Sequence, residues 1–155
     1  MTMRTGNTEN ARSFVVLKIQ DAEAEWESLP LTPFGALVVA PAEKPLREVF
    51  SKVATRLLEL GCGWATLHAG KHTHLLHDIF DRAIVDYQLK HSPDVEMMTS
   101  GEDEDSLEEA MRDAVHFGFP TYGEPYPGLL VLVVAPEDSK LDEQAESLAK
   151  SVQAE

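Results

Sequence analysis

Residues 129–135 read Leu-Leu-Val-Leu-Val-Val-Ala (LLVLVVA), seven apolar residues without a polar interruption, and their reading decides the fold. The run is far too short for a membrane helix, which needs roughly 18 apolar residues. Leucine and valine at this length favour a strand. A strand that is apolar at every position has no solvent face, so it belongs inside a sheet covered on both sides. Working outward, 34–40 (FGALVVA) has the same character, closed by Pro41 and Pro45. Residues 63–68 (GWATLH), 13–19 (SFVVLKI) and the shorter 95–99 (VEMMT) read as three more strands.

Helical periodicity fills the gaps between these runs. Leu46, Val49, Phe50, Val53, Ala54, Leu57 and Leu58 form one apolar stripe, with Pro45 suited to the first turn and Gly61 to the C-terminal cap. Leu76, Ile79, Phe80, Ala83, Ile84 and Tyr87 form a second stripe on a helix starting near Thr73. Ser106 and Glu109 have the spacing of a capping box, which opens a third helix. Residues 139–152 make a fourth, with Ser139 and Asp142 as a looser cap. Residues 21–33 read as a connection with one helical turn around 22–26, and 117–128, rich in proline and glycine, as a loop.

Strands alternating with helices predict an α/β fold: a three-layer, mostly parallel five-stranded sheet with helices on both faces, Rossmann-like or flavodoxin-like. The first two strands lack a convincing helix between them, which leaves an antiparallel or edge placement open. Residues 1–12 show no periodicity and are expected to be a flexible tail. Residues 13–155 are expected to be a single domain, since 155 residues is the length of one ordinary domain. A chain of this size buries enough surface for a core without staples.

The charge excludes several functions. Twenty-seven acids against 13 bases give a net charge of −14. Nucleic-acid binding needs a basic footprint, and anionic lipid would repel such a chain, so neither partner is expected. A basic protein partner fits this charge, and so does plain solubility. One cysteine, Cys62, cannot form an internal disulfide, and 1–12 carry no apolar signal segment, so a cytoplasmic location is expected.

In a parallel sheet, ligands bind beyond the carboxyl ends of the strands. The loops 69–73, 100–106 and 136–139 are expected there. Four histidines (68, 72, 74 and 77) lie within ten residues. His77 and Asp81 are four apart on one helix face, as are His74 and Asp78, a spacing able to hold a divalent metal or to form a solvated face. His72 is placed near the inward side of the helix start. The candidate functional cluster is therefore His72, His77, Asp78 and Asp81, with His77 and Asp81 as the metal pair. The acidic run Glu102-Asp-Glu-Asp105 suits either a metal or the helix macrodipole. Gly70-Lys-His-Thr73 lacks the upstream glycine of a phosphate loop, and Gly61-Cys-Gly63 precedes its strand, so neither is a nucleotide motif. Tyr122 and Tyr126, in the proline-rich loop, are candidate anchors for a partner.

These residues carry a family resemblance. Leu58-Glu-Leu-Gly-Cys62 leading to Trp64, then Gly70, His77-Asp78-x-x-Asp81, Met98-Thr99 and Ser106-Leu-x-Glu109-Ala110, resembles an uncharacterised bacterial domain family, a domain of unknown function. The resemblance runs over about residues 34–135. The chain departs from the family pattern at Gly101-Glu102 and at His68-Ala-Gly70. The resemblance implies no activity, but it makes His77, Asp78 and Asp81 part of a recurring pattern.

Two functions follow as expectations. The first is a non-enzymatic interaction module of the bacterial cytoplasm, an acidic accessory protein acting through a protein partner and needing no cofactor. The alternative is a small metal-assisted hydrolase using the cluster at residues 72–81. A third, a sensor holding an anion at the helix start over 70–73, is disfavoured by the overall charge.

Overall fold

A computed structural model describes residues 2–6, 13–20, 26, 33–120 and 125–154. Six strands form one sheet: β1 (Thr2–Gly6), β2 (Ser13–Ile19), β3 (Phe34–Val39), β4 (Cys62–His68), β5 (Met98–Ser100) and β6 (Gly128–Val134). Their spatial order is β1-β2-β6-β3-β4-β5. The five strands from β2 to β5 in that order pair parallel, and β1 pairs antiparallel with β2. Four helices complete the three layers: α1 (Arg47–Leu60), α2 (Thr73–Lys90), α3 (Leu107–Phe117) and α4 (Leu141–Gln153). Among the described residues, no helix is long and apolar enough to cross a membrane.

β6 sits where its composition demands, between β2 and β3, buried at every position. Its alternate residues feed two separate cores, as strand geometry requires. Leu130, Leu132 and Val134 join Leu17, Val38 and Leu67 beneath α1 and α2, which supply Phe50, Leu57, Leu76 and Phe80. Leu129, Val131 and Val133 join Phe14, Leu37 and Val39 beneath α3 and α4, which supply Met111, Ala114, Ala145 and Ala149.

The chain runs β3 to β4 to β5 under α1 and α2. It then crosses back through α3 to lie on the other side of β3. Right-handed crossovers in opposite directions place the two helix pairs on opposite faces. The connections leaving β3 and β6 therefore part company between these two strands.

The structure corrects the sequence reading at several points. Part of the expected tail is strand β1, paired from Thr2↔Lys18 to Gly6↔Phe14. It covers the edge that β2 would otherwise leave unpaired, and main-chain pairing leaves no hydrophobic signature. The first two expected strands, now β2 and β3, are not partners, because β6 lies between them. The strand expected over 95–99 is displaced to Met98–Ser100. Gln88 Nε2 donates to the Val95 carbonyl at 2.8 Å, which ties the earlier residues to α2. Trp26 is buried outside any helix, and the rest of the turn expected over 22–26 lies outside the described residues.

Side chains fix two loops at the carboxyl end. Ser106 and Glu109 form the expected capping box at α3. Ser139 Oγ accepts from the Leu141 amide at 3.2 Å. Asp142 turns inward instead, with Oδ1 3.7 Å from Lys18 Nζ. That buried ammonium also donates to the Glu137 and Ser139 carbonyls, at 2.5 and 2.7 Å. One lysine from β2 thus holds the whole turn between β6 and α4.

Removing one member of a buried ion pair strands the other. Lys18→Met is expected to lower unfolding free energy by about 3 kcal/mol, read as a fall in urea midpoint. A midpoint within error of the parent would show that Lys18 does not hold the loop.

Candidate functional site

The β4–α2 turn is built around Thr73. Its hydroxyl accepts from the Ala69 amide at 3.0 Å and donates to the Gly70 carbonyl at 2.7 Å. Thr73 is fully buried, whereas His72 is half-buried at the N-cap position and makes no side-chain cap. The inward position expected for His72 belongs to Thr73. Gly70 has φ 55°, and a Cβ there would crowd Ala42, so this turn packs against the β3–α1 loop.

The acidic loop after β5 folds over the start of α2. Asp103 Oδ1 accepts from the His74 amide at 2.6 Å, and Oδ2 lies 2.9 Å from His74 Nδ1. Asp103 is held below the usual carboxylate range, first by that amide and then by the His74 ring and charge, with the His72 charge adding least. One turn on, His77 Nδ1 is 3.1 Å from Asp81 Oδ2, and Asp81 Oδ1 accepts from Thr99 Oγ1 at 2.9 Å. An open depression of about 430 Å³ is lined by His74, His77, Asp78 and the 101–104 loop.

The expected cluster is thus only partly assembled. His77, Asp78 and Asp81 share one exposed surface of α2, and His72 stands apart beside Asp103. Each of His74 and His77 is matched with a single carboxylate. Among the described residues, no three His, Cys, Asp or Glu side chains are grouped so that they could hold a metal ion. The anion position expected at the α2 start is filled by the chain's own Asp103.

Tyr126 lies at the other end of the sheet. It is half-buried over Gly63, where an added Cβ would overlap its hydroxyl. Burial, then the Cys62 and Glu96 charges, push its phenol up. Tyr122 lies outside the described residues. Cys62 is buried beside Tyr126, and burial pushes its thiol up to about 12 against a weak hydrogen bond to the Trp64 carbonyl. Such a thiol is no nucleophile at neutral pH.

Two features were not anticipated. The first is a crevice of about 300 Å³ where the β3 and β6 connections diverge. Pro41, Pro45, Leu46, Val49, Phe50 and Pro136 line it, with Gln20, Glu43 and Lys44 also on its wall. This is the position at which open α/β sheets bind ligands. The strand order creates it, and strand order leaves no local mark in the sequence. The second is a polar strip on the α3 side. Trp64 Nε1 donates to Ser100 Oγ at 3.0 Å, and Ser100 Oγ reaches Thr66 Oγ1 at 3.3 Å. Farther along β4, His68 Nδ1 is buried without a hydrogen-bond partner, as is Asp105 Oδ2 in the loop before α3. Burial holds His68 below the usual histidine range, with Asp105 opposing. Asp113 is pushed up by burial and by the Asp105, Glu109 and Glu102 charges. The alternation along β4 puts Trp64, Thr66 and His68 on one face, which the sequence does contain.

The model of the family described as domain of unknown function (DUF7684) matches residues 9–151, and the chain belongs to that family. No curated protein and no solved structure matches the chain.

Two measurements check this geometry. Cys62 is expected to resist a disulfide reagent at pH 8 in the native protein and to react as one equivalent in denaturant. Prompt native reaction would contradict its burial. His68 has a folded pKa below its unfolded value near 6.5, so its contribution to stability is present above that pH. That contribution falls as pH drops from 6.5 towards the folded pKa. His68→Gln is expected to flatten this part of the stability–pH curve, and an unchanged slope would contradict the shift.

Proposed function

We propose that this chain is a non-enzymatic interaction module, an acidic accessory protein of the bacterial cytoplasm that recognises a basic protein partner through the carboxyl end of its sheet. The observation that carries the reading is the convergence of two surfaces there. Asp78, Glu102, Asp103 and Glu104 surround an open depression. The neighbouring crevice offers proline and aliphatic walls, with Leu46 68% exposed on its lining. An apolar anchor beside a charged rim is the composition of a protein-recognition surface. The net charge of −14 adds long-range attraction for a basic partner.

The reactive groups fit this reading. Cys62 is buried away from this end, and His74 and His77 are each held by one carboxylate. Docking by Tyr126 plays no part here, because its ring packs on Gly63.

Photo-crosslinking tests the proposal in cells. A photoreactive residue at Leu46 or Glu104 is expected to capture one defined basic protein. The same residue at Glu96 or Glu59 is not. Glu102→Lys with Glu104→Lys is expected to slow association by about tenfold at low salt, with little change at high salt. Equal capture from all four positions, or capture from none, would sink the reading.

A further inference from the structure

We propose that the groove between the outer surfaces of α1 and α2 binds a small phosphate-bearing anion. This goes beyond the partner surface above, and it concerns side chains of the opposite charge. Arg47, Ser51 and Thr55 recur every four residues along α1, and Arg82, Asp86 and Lys90 do so along α2. Together with Ala83, Tyr87 and His91 they line a groove of about 380 Å³. Three full positive charges thus meet one carboxylate, in a chain whose acids outnumber its bases 27 to 13.

The pairing pattern separates these three cations from most others on the helices. Elsewhere, four helix cations sit beside acids one turn away, Lys52 with Glu48, Arg112 with Glu108, Lys140 with Glu143, and Lys150 with Glu146, whereas Arg56, in the adjacent depression, forms no ion pair among the described residues. Among the described residues, Arg47, Arg82 and Lys90 form no ion pair, even though Asp86 lies one turn from both Arg82 and Lys90. Uncompensated positive charge in a concave site attracts an anion.

The donor set selects the class. Two guanidinium forks match phosphate oxygens, and Lys90 adds a point charge. Thr55 already donates to the Ser51 carbonyl at 2.9 Å. The Ser51 hydroxyl makes no such bond and is available to donate. The Tyr87 and His91 rings, 4.3 Å between centroids and tilted 33° to each other, give one wall an aromatic surface. The volume suits a small molecule and is too confined for a folded partner.

The test titrates isotope-labelled full-length protein with inorganic phosphate and pyrophosphate at low ionic strength, read by amide chemical shifts. Saturable shifts are expected on residues 47–55 and 82–91, with pyrophosphate the tighter probe. Arg82→Gln with Lys90→Gln, both at exposed positions, is expected to weaken binding by about tenfold or more. Lys150→Gln, on α4, is expected to leave it unchanged. No saturable shift, equal weakening by Lys150→Gln, or tighter binding of an oligoglutamate peptide than of pyrophosphate would overturn the proposal. Urea midpoints of the variants separate lost binding from lost folding.

Discussion

Strand β6 must be dry on both faces and paired on both edges, and the rest of the architecture serves that requirement. Its seven residues are all buried, and only a position between two parallel strands achieves this. The preceding strand, β5, lies at the far edge of the sheet. The chain must therefore return across two strands before β6 can be laid down. The right-handed crossover sends α3 over the opposite face from α1 and α2, and α4 follows it. Burying the most apolar segment thus creates the second core, the reversal of winding direction, and the crevice between the β3 and β6 connections. The candidate binding face is a consequence of where the greasiest strand has to go.

Local physics was legible in the residues, and long-range order was not. The stripe from Val49 to Leu58 lies on α1, with Leu46 left exposed at the N-cap position, and the capping box at Ser106 and Glu109 forms as its spacing implies. Periods of two and of 3.6 residues are properties of short windows. Strand order depends on which distant segments pair, and nothing near residues 34–40 announces that β6 lies beside them. The crevice lined by Pro41, Pro45 and Pro136 was missed for that reason. β1 was missed because main-chain bonds alone define an edge strand. Of the two pairs spaced four apart on α2, one forms. Helical spacing brought His77 to Asp81, but the partner of His74 is Asp103, 29 residues away. The inward side of the helix start went to Thr73, whose short hydroxyl can satisfy the turn while fully buried.

Charge is segregated more strongly than the net value suggests. At the carboxyl end, carboxylates gather beside α2 and α3. On the outer surface of α1 and α2, Arg47, Arg82 and Lys90 line one groove, and Lys52 and Arg56 line a neighbouring depression. A uniform distribution of 27 acids and 13 bases would place about two acids beside every base. The two depressions reverse this, with five bases against two acids on their linings, so the local potential that a ligand meets there within a Debye length differs in sign from the global one. Net charge therefore governs encounter from a distance, and the local groove governs what settles there.

The acidic loop shows how such a surface can be held ready. Four consecutive carboxylates repel one another, and a free loop would spread them. Here Gly101 adopts φ 139°, a conformation that leaves no room for a Cβ against the Leu67 carbonyl. The next residues then alternate. Asp103 reaches back to the His74 amide and ring, and Asp105 buries one oxygen beside α3. Glu102 and Glu104 are left exposed. One of the four acids thus ties the loop to α2, a second is part-buried before α3, and the other two face solvent from a defined backbone. The entropy of ordering is lost on folding, so the basic partner proposed above would meet carboxylates already in place, which strengthens binding without adding a contact.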